Sequence, residues 1–142
     1  MEQKTMKNSI KHVAIIDSNS NEIKDMQKYF KNIGVKEFTI AKNRDEGLKI
    51  VSKSNNDINE IDLIIINEDL KEHESSVNVA PFCGEDIQIK LMQDDTKIPV
   101  IIIVDRKKDA RYDDDNTLGK INLYYENIDE ALDNILNNCG SI

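Results

Sequence analysis

The sequence predicts an α/β protein in which a five-stranded parallel sheet lies between two layers of helices. Five short apolar runs, rich in β-branched residues, recur along the chain, and most of the segments joining them carry apolar residues at helical spacing. Strands that alternate with helices leave right-handed parallel crossovers as the favoured connection. At 142 residues the chain is long enough for one domain with its own core.

Residues 1–10 read as a polar N-terminal extension, and 11–142 as the single domain. The first run, His12-Val13-Ala14-Ile15-Ile16, closes on Asp17, and Ser18-Asn19-Ser20-Asn21 supplies helix caps. Ile23, Met26, Phe30 and Ile33 then recur at helical spacing, and Gly34 stands where a helix C-cap is expected. Glu37 to Ala41 is a second short strand. Asn43 caps a second helix whose apolar positions are Leu48, Ile50 and Val51, and the polar linker Ser54-Asn55-Asn56-Asp57 follows. The third strand, within Ile61 to Leu70, runs into Asn67. From Glu68 to Phe82 neither a period of 2 nor one of 3.6 survives, so an extended loop is expected at about 68–83. Helix resumes after Gly84, with Ile87 and Leu91 one turn apart. Pro99 introduces Val100-Ile101-Ile102-Ile103-Val104, whose unbroken β-branched run predicts burial on both faces. Asp105 to Lys120 offers only Ala110, Tyr112 and Leu118 as apolar anchors, which predicts a short or irregular fourth helix. Ile121 to Tyr125 reads as the fifth strand, and Ile128, Ala131, Leu132, Ile135 and Leu136 form one stripe of a last helix. The sum is a flavodoxin-like (βα)5 three-layer sandwich.

Composition narrows the function classes. A net charge of -8 argues against sequence-independent affinity for nucleic acid or anionic membranes, which requires clustered Lys and Arg, and favours a protein partner or a small cation. Cys83 and Cys139 have neither metal-ligand spacing nor a disulfide framework, so a reducing, cytoplasmic setting is expected. Met1 to His12 lacks the apolar stretch of a secretory signal, and no run approaches membrane-spanning length. His12 and His73 read as separate surface residues. Asp113-Asp114-Asp115 lacks the Gly turn and terminal Glu of a calcium loop and reads as solvated.

The order of elements, with Val13-Ala14-Ile15-Ile16-Asp17, Asp62-Leu63-Ile64-Ile65-Ile66 and Ile98-Pro99-Val100-Ile101-Ile102 as local matches, resembles the receiver domain of bacterial response regulators over roughly Lys11 to Asn138. The resemblance implies a place in two-component, phosphorelay signalling. It also implies a site where an Asp after strand three accepts a phosphoryl group, acidic residues after strand one hold Mg²⁺, a Thr or Ser follows strand four, and a Lys follows strand five. Each part stabilises charge on the transferring oxygens. Carried onto this chain, Asp17 keeps the first acid, Ser18 replaces the second, Asn67 replaces the phosphoacceptor, Val104 the hydroxyl residue and Glu126 the Lys. Asn127 stands where the family has a Pro with a cis bond, which Asn adopts only at a cost of about 3 kcal/mol. Leu123 falls at the aromatic switch position, or Tyr124 if the register shifts by one.

The resemblance therefore implies a degenerate stand-alone pseudo-receiver, not phosphorylated at the usual place. It would act by binding a sensor kinase, an effector or a second copy, with no catalysis of its own. The rival is a non-standard acceptor carboxylate, Glu68 or Asp69, working with a divalent metal. No cofactor is required by this reading, although Asp17, Ser18, the Asn67 carbonyl and Glu126 offer oxygens of the type Mg²⁺ or Ca²⁺ takes. Simpler roles stand beside these: Asp17 can cap the loop that follows it, and Asn67 can bond neighbouring backbone in a tight turn. Val77, Val79, Pro81 and Phe82 in the long loop are expected either to fold over the vacated pocket or to face a partner.

Overall fold

The computed structural model describes residues 6–52, 54, 56–111 and 115–138. Its sheet has five parallel strands in the order β2-β1-β3-β4-β5. These are β1 (His12–Ile16), β2 (Glu37–Ala41), β3 (Leu63–Asn67), β4 (Val100–Val104) and β5 (Thr117–Asn122). The helices are α1 (Ser20–Asn32), α2 (Arg44–Val51), α3 (Cys83–Gln93) and α4 (Ile128–Asn138). Short 3-10 turns occupy Met6–Ser9 and Asn56–Glu60.

Alternation within the strands assigns each side chain to a layer. Val13, Ile15, Leu63, Ile65, Ile101 and Ile103 pack with Phe30 and Met26 of α1 and with Leu132 and Leu136 of α4. Their neighbours Ala14, Ile16, Ile64, Ile66, Ile102 and Val104 pack with Val51 of α2 and with Ile87 and Leu91 of α3. β1, β3 and β4 are buried along their whole length, as expected of central parallel strands. Asn19 caps α1 by accepting from Asn21 N and Glu22 N, and Gly34 leaves the helix at φ +102°, the conformation glycine adopts without strain. Asn43 caps α2 through Glu46 N.

Two expectations change, and the fourth helix takes the irregular form expected of it. The fifth strand is Thr117–Asn122, not Ile121 to Tyr125: Gly119 and Lys120 pair with β4, while Tyr124 and Tyr125 stand in a turn, 52% and 67% exposed, edge to face with each other. A strand whose outer face is left polar by the missing helix does not announce itself as an apolar run. Among the described residues between β4 and β5 there is no helix at all. In its place 105–111 is irregular chain and only Ala110 reaches the core. Finally, His12 is buried, its Nε2 2.7 Å from Thr39 Oγ1, because it opens a central strand.

Ile10 is also buried, and Lys7 pairs with Asp133 of α4 at 2.6 Å, so the end of the polar extension packs onto the domain. His73 is exposed and 2.7 Å from Asp45. Cys83 is a buried free thiol, pushed up from its ordinary pKa by that burial. Cys139, Asp113 and Asp114 lie outside the described residues. No described helix is long and apolar enough to cross a membrane.

Candidate functional site

The carboxyl ends of β1, β3 and β4 enclose a crevice of about 240 Å³ lined by Asp17, Ser18, Asn19, Glu22, Asn67, Asp69, Val79 and Asp105. This is where an open parallel sheet forms a crevice, because the chain leaves neighbouring strands in opposite directions. Asn67 stands at the centre. Its Nδ2 donates to Asp17 Oδ1 at 3.3 Å and to Glu22 Oε1 at 3.2 Å, and its Oδ1 accepts from Asp69 N at 2.9 Å. The turn-forming role expected of Asn67 is therefore present, with a second role added: one amide group bridges two acids.

Asp17 is 1% exposed, and its Oδ1 accepts from Asn19 N at 2.9 Å. Burial pushes its carboxyl above the ordinary value. Glu22, in the first turn of α1, is pushed up to about 9, first by burial and then by the hydrogen bond and charge of Asp17, with Asp105 adding to both. Both carboxyls are thereby biased toward their protonated forms. Two acids and one amide fill the place where a cation would be drawn in.

The other expected residues are dispersed. Ser18 lines the crevice but is used to stitch loops, donating to Lys42 O at 2.6 Å and accepting from Lys71 N at 2.9 Å. Val104 is buried in the core layer shared with α3 and does not line the crevice. Glu126 is also outside it: its carboxylate accepts from Asn122 N at 2.9 Å and closes the turn after β5. Asn127 caps α4 through Asp129 N and Glu130 N, and no cis peptide bond occurs among the described residues. Leu123 is half-buried against the core and Tyr124 is exposed.

Glu68 and Asp69 meet a different environment. Arg106 grips both, contacting Asp69 Oδ1 and Oδ2 at 2.6 Å each and bonding Glu68 Oε1 through Nη2. Glu68 is fully buried and also accepts from Arg111 N at 3.1 Å. Arg111 pairs with Glu85 at 2.6 Å, and its guanidinium lies 3.5 Å from the ring centre of Phe82. Phe82 adopts φ +65°, held there by an N–H bond to Asp69 Oδ1 at 3.0 Å. Of the loop's apolar residues, Val79 reaches the crevice, Phe82 packs under the arginines, and Val77 is 83% exposed. Gly84, in the first turn of α3, abuts the end of β3: a Cβ there would fall 2.9 Å from Glu68 Cα and closer still to Asn67 O.

Sequence reasoning missed Glu22, Asp105 and Arg106. Asp105 was readable, since it is the first residue after β4 at the crevice end. Glu22 depends on the phase of α1, and Arg106 on how an irregular segment folds back, and neither has a local signal. Among the described residues no group of three His, Cys, Asp or Glu side chains is disposed to hold a metal ion.

No family model and no curated protein matches the sequence. Solved structures do match the fold. The N-terminal domain of a response regulator/sensory box/GGDEF protein from Carboxydothermus hydrogenoformans aligns with a TM-score of 0.61 at 13% identity, over 89% of this chain and 91% of that one. A response regulator receiver domain protein from Clostridium thermocellum aligns at 0.59 and 19% identity, over 90% and 95%. A CheY-like receiver domain protein from Methanospirillum hungatei aligns at 0.58 and 15%, over 89% and 90%. The chain has the flavodoxin-like fold of response regulator receiver domains.

Proposed function

We propose that this chain is a receiver-type signalling module held in one chemical state, acting by protein association and not by aspartyl phosphorylation. The observation that carries this reading is the Asn67 amide bridging Asp17 and Glu22. An amide nitrogen is not a phosphoryl acceptor, and here its two N–H groups supply the positive edge that a metal ion would otherwise bring to the acids. Mg²⁺ is then not needed to keep the site together, and no catalytic residue is assigned. With Glu126 turned to its own backbone, the crevice also lacks a lysine-like cation at that position. The partner is a sensor kinase, an effector or a second copy, in a cytoplasmic pathway without nucleic acid or membrane. One structural neighbour, from Borrelia burgdorferi, is a CheX-CheY complex with BeF3 and Mg²⁺, so association of this fold with another protein has a precedent there. The exposed Val77 beside Val79 and Pro81 is the part of the long loop available for contact.

The rival acceptors are poorly placed for phosphoryl transfer. Both Asp69 oxygens are engaged by Arg106, and Glu68 has no solvent exposure through which a donor could approach.

The test is a titration with Mg²⁺ and beryllofluoride followed by backbone amide NMR, with Asn67→Asp in parallel. The expected result is no saturable shift at Asp17, Asn67 or Asp105 in the natural sequence and a saturable, two-ion response in the variant. A two-ion response in the natural sequence would show that neighbouring carboxylates have rebuilt the site.

A further inference from the structure

The free edge of the sheet at β2 is used by neither the crevice nor the arginine cluster. Among the described residues β2 pairs only with β1. Glu37 N donates to Lys11 O at 3.4 Å and Ala41 O accepts from Asp17 N at 2.9 Å, so alternate residues 37, 39 and 41 turn their backbone groups to β1. In a parallel ladder the intervening Phe38 and Ile40 then direct their N–H and C=O groups outward. Beside Ile40, between β2 and α1, lies a cleft of about 380 Å³ lined by buried Ile23 and half-buried Ile40 together with exposed Lys24 and Lys42. Lys24, Lys28 and Lys31 recur at positions that share one face of α1, and Lys36 and Lys42 flank β2, all of them exposed. Against these stand Asp25 and Glu37, with Glu46 and Glu74 approaching Lys42 from the side away from α1, in a chain whose net charge is -8. The cleft itself is lined by two lysines and by no carboxylate.

We propose that the β2 edge is a docking site for an extended acidic segment of a partner protein. The segment adds a strand to the sheet through Phe38 and Ile40, sets an aliphatic side chain into the cleft, and brings its carboxylates to Lys24 and Lys42. The backbone groups call for another polypeptide strand, which a nucleic acid does not provide. A second copy of this edge is disfavoured by its own charges: antiparallel pairing of two β2 strands about Thr39 sets Lys36 opposite Lys42 of the other copy. The inference does not depend on the reading of Asn67.

The probe is a blocked peptide, Glu-Val-Glu-Ile-Glu-Val-Glu, titrated into the full chain and followed by backbone amide NMR. Saturable shifts centred on Phe38, Ile40 and Lys24 are expected, and binding should weaken by at least about tenfold in the Lys24→Glu, Lys42→Glu double variant. A peptide of the same sequence N-methylated at alternate residues should lose binding, which separates strand addition from simple charge attraction without altering the protein. The proposal is overturned if residues 36–42 do not respond. It is equally overturned if the N-methylated peptide, a lysine analogue or a single-stranded oligonucleotide of equal charge binds as well, or if sedimentation shows a dimer through this edge.

Discussion

Two groups of carboxylates stand side by side at the carboxyl end of the sheet and are stabilised by opposite means. Asp17, Glu22 and Asp105 face one another with no cation among the residues that line their crevice; the Asn67 amide bridges two of them, and the carboxyls of Asp17 and Glu22 are pushed above their ordinary values. Glu68 and Asp69, which follow Asn67 directly, are gripped by a guanidinium. The difference lies in what faces them. The crevice opens toward α1, whose first turn brings another acid, whereas Glu68 turns toward the crossover after β4, whose irregular path brings Arg106 and the Arg111 backbone. The same crossover is where a short or irregular fourth helix was expected. Ion pairs and the Phe82 stack fasten the segment that too few apolar residues could fasten as a helix.

Removing the cation from the second group should have the largest effect. Arg106→Ala leaves Glu68 buried beside Asp69 without its main partner, and a loss of about 3 kcal/mol is expected, a fall in melting temperature of roughly 10 °C. Chemical denaturation of the variant measures it, and a loss below about 1 kcal/mol would mean that the Arg111 N–H suffices for Glu68.

Making the first group more acidic comes next. Asn67→Asp replaces the bridging donor with a further carboxylate, and the fold should lose about 2 kcal/mol in metal-free buffer at neutral pH. Millimolar Mg²⁺ should restore most of that in a thermal shift assay while leaving the natural protein nearly unmoved. If Mg²⁺ raised both melting temperatures equally, the amide would not be acting in place of a cation.

Glu22→Gln keeps the oxygen that Asn67 donates to and removes the titration. Because the folded-state pKa of Glu22 is raised from 4.5 to about 9, its contribution to stability is full below about pH 4.5 and is lost as pH rises toward 9. Glutamine has no such loss. Relative to the natural chain the variant should therefore gain with rising pH, by on the order of 1 kcal/mol at pH 9 after allowance for solvent screening in an open crevice. Parallel melting curves from pH 5 to 9 would show the gap opening, and parallel lines would remove the Glu22 titration from the account.

The smallest effect on stability is expected at the loop tip. Val77→Ser should change stability by less than about 0.5 kcal/mol, since the side chain is almost wholly exposed. A larger destabilisation, read from the same denaturation curves, would mean that Val77 supports the crevice.

The sequence by itself determined the layers of this molecule. In β1, β3 and β4 the unbroken β-branched runs specify burial on both faces, and in α1 and α4 the helical stripe specifies which residues meet the sheet. Asn67 was legible for the same reason, as the polar end of an unmistakable strand. These features depend on neighbours in the chain. The tertiary structure alone decided the rest. Glu22 joins Asp17 because α1 begins at Ser20 and turns that position inward, β5 begins at Thr117 because β4 offers it a ladder, and Glu126 folds back onto Asn122 instead of reaching the crevice. The arginine cluster joins residues 37 to 43 positions apart, across a segment with no periodicity of its own. Periodicity records which face a residue turns to the core, but the meeting of charges from different loops follows from through-space geometry, which no local pattern encodes.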